Sequence, residues 1–193
     1  MTDSLISPQA RARFVVTLPP EPNELATHLA SAAGASFTTL TDTRDAFLHL
    51  ARRAQRRLVI MTPFIDFTGA SWAADLFEAT DAPVKELVLR NSSKLDDLGS
   101  SGRRLKAAAT RISDYELHHF DETDGQQYLE TFHAKVVLAD GVAAYVGSAN
   151  FLRRSREANL ECGFLLEGDA VNPVFVLVNS VLTIFDKRTT AVR

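Results

Sequence analysis

The pattern of apolar and polar positions sharpens at about residue 41. Ahead of it, residues 13–18 read as an extended segment halted by Pro19-Pro20-Glu21-Pro22. A short helix is predicted from about Asn23, with Leu25 and Leu29 four apart and Gly34 as its C′ residue. Residues 1–40 are thus an N-terminal arm and helix with three roles open: a cap, an arm for a partner chain, or the first helix of the domain. From Asp42 the periods are clearer. Asp42 with Asp45 resembles a capping box, and Phe47, Leu50, Ala51, Ala54 and Leu58 recur at helical spacing. Residues 57–64 form a compact apolar run ended by Pro63-Phe64, the mark of a buried strand. The same signals predict helices over 72–79 and 103–109 and strands over 84–89 and 112–120. This alternation implies one α/β domain over residues 41–193, with a mixed central sheet flanked by helices.

Residues 132–150 carry the clearest local signal. Asp140-Gly141 lies between two apolar runs, which predicts a β-hairpin. If those two residues are the whole loop, Ala139 faces Val142, Lys135 faces Val146 and His133 faces Ser148. Residues two apart share a face, so His133, Lys135, Ser148 and Asn150 are expected to converge.

Composition narrows the chemistry. With 21 Lys and Arg against 24 Asp and Glu in 193 residues, the formal charge is −3, so any polyanion contact must come from a local patch. One cysteine, Cys162, excludes an internal disulfide framework and a Cys-rich zinc module. Flanking Glu161 on a strand, it is expected to take a small buried apolar role. Residues 1–14 lack the apolar core of a secretory signal, and the apolar run over 171–185 is broken by Asn172, Pro173, Asn179 and Ser180. The expectation is a soluble cytoplasmic chain without stable membrane association.

An imidazole, an ammonium, a hydroxyl and a carboxamide suit an oxyanion, above all a phosphate. A histidine can act there as nucleophile or as acid and base near neutral pH. Gly147 would let a ligand approach the backbone. Glu161, opening another apolar strand, would hold one tautomer of His133. Adjacent residues on a strand point to opposite faces, so His118 and His119 do not suggest a metal site with His133. Arg52, Arg53, Arg56 and Arg57 read as a solvated helix face. Arg153, Arg154 and Arg156 lie close enough after Asn150 to border the site.

His133-x-Lys135, four residues, Asp140, six residues, then Gly147-Ser148-x-Asn150 resembles the HKD signature of the phospholipase D superfamily. Asn159-x-Glu161 is similar to the element that usually comes next in that family. The resemblance is specific over 132–164, looser over 42–120, and does not extend over 1–37. Leu152 stands where the family often has Thr, and Ser155 where it often has Gly, differences that bear on loop conformation and substrate fit. The resemblance implies a metal-free, cofactor-free phosphodiesterase with His133, Lys135, Asp140, Ser148, Asn150 and Glu161 as catalytic set and a phosphohistidine intermediate. Gly147, Arg153 and Arg154 would contact substrate. A short chain with one motif resembles the bacterial nuclease branch, implying nucleic acid as substrate, DNA ahead of RNA. It also implies a homodimer sharing one site, with a phage-defence complex as a wider setting. The alternatives are a non-catalytic nucleic-acid-binding subunit of such a complex and a phospholipid headgroup hydrolase.

Overall fold

A computed structural model describes residues 9–33, 41–120, 123 and 125–191. Gly34 lies outside them. In chain order the elements are β1 (Arg11–Thr17), α1 (Glu24–Ala33), α2 (Thr43–Arg53), β2 (Arg57–Met61), α3 (Phe67–Glu78) and β3 (Val84–Leu89). Next come α4 (Lys94–Asp97), α5 (Gly99–Ala108), β4 (Arg111–Asp114), β5 (Glu116–Phe120) and β6 (Gln127–Thr131). The chain then forms β7 (Lys135–Ala139), β8 (Ala143–Gly147), α6 (Arg153–Glu157), β9 (Glu161–Glu167) and α7 (Asn172–Ala191).

Seven strands make a mixed sheet in the order β1-β9-β8-β7-β2-β3-β4, and β5 and β6 pair separately. β2, β3 and β4 run parallel, whereas β7 returns antiparallel to β2 and opens the chain of antiparallel pairs through β8 and β9 to β1. The fold is therefore α/β with a mixed central sheet flanked by helices. β1 pairs with β9 from Arg11↔Glu167 to Thr17↔Glu161, so this stretch of the N-terminal arm is built into the sheet rather than set apart before residue 41.

Helices cover both faces because the strands are apolar on both. On one face Phe47 and Leu50 of α2, Trp72 and Phe77 of α3 and Leu105 of α5 pack with Ile60, Leu87, Val137 and Tyr145. On the other, Val178, Val181 and Leu182 of α7 pack on Val59, Met61, Val88, Val136 and Leu138. Asn179 interrupts the apolar stripe of α7 for a reason: its Oδ1 accepts from Arg57 Nη1 at 2.7 Å. Arg57 in turn pairs with the buried Glu86 at 2.5 Å, tying α7 to the sheet. Among the described residues no helix is long and apolar enough to cross a membrane.

Three expectations change. The strand read over 112–120 is two strands in different sheets, since Tyr115 N–H makes a last bond to Leu89 O at 2.7 Å and the chain then leaves the main sheet. The loop expected around Leu152 and Ser155 is instead the short helix α6, Arg153–Glu157. The hairpin register is shifted by one: Ala139 pairs with Ala143, Val136 with Val146 and Lys135 with Gly147. Asp140 and Gly141 both take positive φ, 54° and 78°, and Val142 N–H closes the turn on Ala139 O at 3.0 Å. Val142 then stays outside the β7–β8 ladder, making a three-residue loop.

Candidate active site

The site lies where β7 begins and β8 ends. Lys135 opens β7 and is almost fully buried, whereas His133, two residues earlier, precedes the strand and is exposed. Lys135 Nζ reaches back to His133 Nδ1 at 2.7 Å, His133 Nε2 at 3.3 Å and His133 O at 2.7 Å, so the cation fixes both ring and backbone. Burial pushes the Lys135 ammonium below the ordinary lysine range; the Glu161 carboxylate opposes this and the Arg90 charge adds to it.

The one-residue register shift would by alternation send Ser148 to the face opposite Lys135. It does not, because the ladder ends at Gly147 and the chain bends at Ser148. The bend is held from β9: Ser148 N–H donates to Cys162 O at 2.9 Å, and Cys162 N–H donates to Ser148 Oγ at 3.1 Å. Ser148 Oγ in turn donates to Glu161, whose other oxygen accepts from Asn159 Nδ2 at 3.4 Å. His133, Lys135, Gly147 and Ser148 thus line one open groove with Phe14, Val146, Cys162, Gly163 and Phe164.

Other expected residues sit differently. Glu161 is buried but grips Ser148; among the described residues no hydrogen bond joins it to His133, whose ring is held by Lys135. Asn150 comes just after the bend, and its Oδ1 is buried without a hydrogen-bond partner. Cys162 is exposed on the groove rather than buried, on the same face of β9 as the exposed Phe164. Gly147 is required by packing: a Cβ there would lie 2.2 Å from the Tyr145 hydroxyl and 2.6 Å from Cys162 O. Arg153 and Arg154 are exposed on α6, and the Arg153 N–H donates to Asp66 Oδ2 at 2.9 Å. His119 pairs with Glu130 at 2.8 Å and stacks on Tyr128 in the separate β5–β6 hairpin. Among the described residues no group of three or more His, Cys, Asp or Glu side chains is arranged to hold a metal.

Asp140 lies at the other end of the hairpin. Its carboxylate accepts from the backbone N–H of Gln55, Arg56 and Arg57 at 2.9, 2.9 and 2.7 Å, tying the α2–β2 connection to the turn. Burial pushes its pKa up, but these three donors and the Arg56 charge outweigh it and hold the carboxyl below its usual range. A depressed folded pKa stabilises the fold above the unfolded pKa and ceases to do so as pH falls through the folded one. Asp140→Asn, which tolerates the positive φ, should cost about 1–2 kcal/mol at neutral pH. Urea unfolding should show that deficit narrowing in acid, and turnover per folded molecule should be unchanged.

Two contributors had no signal of their own in the sequence. Phe64, after Pro63 at the end of β2, lies edge-on to His133 at 5.8 Å, and Arg90, just past β3, lies over Phe64 at 5.1 Å. Arg90 Nε also donates to Phe132 O at 3.0 Å, bracing the residue before His133. Both sit just past the carboxyl ends of parallel strands, where open α/β sheets place their sites. Such a signal exists only once β2 and β3 are known to be parallel neighbours.

No curated protein sequence matches the chain. Among solved structures it is similar to NucT from Helicobacter pylori, at 16% identity and a TM-score of 0.57, over 92% of this chain and 97% of that one. It is also similar to Nuc, a phospholipase D family member from Salmonella typhimurium, at 15% identity and a TM-score of 0.44, over 94% and 95% of the two chains. Phosphatidylserine synthase from Haemophilus influenzae Rd KW20 aligns at 16% identity and a TM-score of 0.49, over 92% of this chain and 39% of that one. The NucT likeness supports the fold. Residues 47–187 match the family model described as cardiolipin synthase, PLD-like domain. With the fold and that match together, the chain belongs to the phospholipase D-like family.

Proposed function

We propose that the chain is a metal-independent phosphodiesterase acting on nucleic acid through a phosphohistidine on His133. The observation that carries this is the buried Lys135 ammonium held against the exposed His133 ring in an open groove shared with Ser148. A nitrogen lone pair of His133 attacks phosphorus, and the P–O bond to the leaving alkoxide breaks as a second histidine protonates that oxygen. Water then attacks phosphorus, giving its proton to the second histidine as the P–N bond breaks. Lys135 and Asn150 would stabilise the non-bridging oxygens, with Ser148 positioned by Glu161. Among the chain's other histidines none has a companion Lys and Ser-x-Asn, so the second histidine is assigned to His133 of the partner subunit across a two-fold axis.

Exposed Arg153 and Arg154, just beyond Asn150, with Arg90 beside the groove, favour a polyanion. One observation favours a phospholipid headgroup instead: Phe14 and Phe164 line the groove with 45% and 49% of their surface exposed, and Phe67 has 55%. The pure protein, incubated in EDTA with single-stranded DNA, duplex DNA, RNA or phosphatidylcholine vesicles, is expected to cleave nucleic acid at a rate chelation does not change. Activity lost in EDTA and restored by magnesium or zinc would overturn the metal-free scheme. Release of headgroup alone would move the substrate to lipid, and binding of nucleic acid without cleavage would leave a binding module.

A further inference from the structure

Tyr145 is the largest fully buried side chain among the described residues, and it is fixed by a notch in the sheet beneath the groove. Gly147 and Gly163 are register partners on β8 and β9. A Cβ on Gly147 would lie 2.2 Å from the Tyr145 hydroxyl, and one on Gly163 would lie 2.7 Å from its ring. Two facing glycines thus open a slot that the phenol fills, with Phe47 packed against its ring at 4.8 Å. The slot leads the hydroxyl to the Ser148 bend. It donates weakly to Cys162 O at 3.5 Å, the same carbonyl that accepts Ser148 N–H. The backbone N–H of Ala149, between Ser148 and Asn150, and the hydroxyl of Thr43 in α2 lie near enough to the phenolic oxygen to favour its charged form without forming a hydrogen bond to it. Thr43 Oγ1 is itself buried without a formed hydrogen bond.

We infer that Tyr145 is a positioning residue whose hydroxyl, sharing the Cys162 carbonyl with the Ser148 N–H, clamps the Ser148–Asn150 bend to β9 and so sets Ser148 and Asn150 for the phosphate held at Lys135 and His133. The inference rests on the phosphodiesterase proposed above, but the clamp itself does not need substrate to be seen. Burial pushes the phenol up to about 12, against the Ala149 N–H and Thr43, so it stays a protonated donor across the working pH range.

Tyr145→Phe removes the hydroxyl and keeps the ring in its slot. Hydrogen exchange at the Ala149 and Ser148 amides, monitored by NMR without substrate, should speed up at least about tenfold while amides of β2 and β3 stay protected. On the cleaved substrate kcat should fall about tenfold, the size of one lost hydrogen bond, with KM unchanged within about twofold. In a Ser148→Ala background the same substitution should cost less than about half of that loss, because the group it positions is gone. Unchanged amide exchange would overturn the clamp. Equal losses in both backgrounds, or a loss confined to KM, would reduce Tyr145 to a packing role. If the wild type cleaves no phosphodiester, the proposed activity fails, and amide exchange still decides for or against the clamp.

Discussion

Replacing His133 by alanine should abolish turnover, by at least about a thousandfold, while the protein folds as before. His133 is exposed and precedes β7, so the change leaves no cavity, and the thermal midpoint should stay within the small range of surface substitutions. Lys135 loses a ring partner but keeps its bond to the residue 133 carbonyl. His133→Ala also tests assembly. Wild-type and His133→Ala subunits, co-refolded to random pairing, should show activity proportional to the square of the wild-type fraction if both histidines of a dimer are needed in one pocket. A linear dependence, or full activity from a monomer in sedimentation, would mean that each chain works alone with a second catalytic group of its own. Wild-type rates from His133→Ala would remove the phosphohistidine altogether.

How far the site was legible depends on which interactions are local. Asp42 caps α2, its side chain accepting from Arg44 N–H, because an N-cap involves only neighbours in sequence, but among the described residues no bond returns from Asp45 to complete the capping box. β3 occupies residues 84–89 as expected, since a continuous apolar run between turn residues needs no tertiary information. The placing of His133 and Lys135 together came from their spacing of two. The register did not: Asp-Gly suits both two- and three-residue loops, and only the ladder shows that Val142 is left out. Ser148 reaches the groove through a bend held by β9, thirteen residues away from Glu161, so the right residue was expected there for the wrong geometric reason. Glu161 and Asp140 show the same limit. Their carboxylates are explained by partners that spacing cannot name, a hydroxyl for one and three backbone amides across the sheet end for the other. α7 was invisible as a helix because Asn179 breaks its apolar pattern, and its purpose emerges only with Arg57 opposite it.

Lys135 carries the second large effect. Lys135→Ala should lower kcat/KM by about a hundred- to a thousandfold, the scale of one lost oxyanion donor, since both the charge on the phosphoryl oxygens and the hold on the His133 ring disappear. The pH profile separates its chemical role from its structural one. Burial, helped by Arg90 and resisted by Glu161, lowers its pKa below the ordinary lysine value of about 10.4. The ammonium is therefore lost earlier than from an exposed lysine, and the alkaline limb of kcat/KM should fall below that value. Stability moves the other way. Between the lowered folded pKa and the unfolded one, the unfolded chain binds more protons, so this group makes the fold more stable as pH rises. An activity that declines over a pH range where the melting temperature holds steady is thus the signature of Lys135 deprotonation rather than unfolding. Lys135→Arg supplies the control, because a guanidinium does not titrate there: whatever rate it retains should lose the part of the alkaline limb that Lys135 sets, leaving only that of the proton donor to the leaving alkoxide. A profile whose alkaline side is identical in wild type and Lys135→Arg would mean that deprotonation of Lys135 does not limit the reaction over that range.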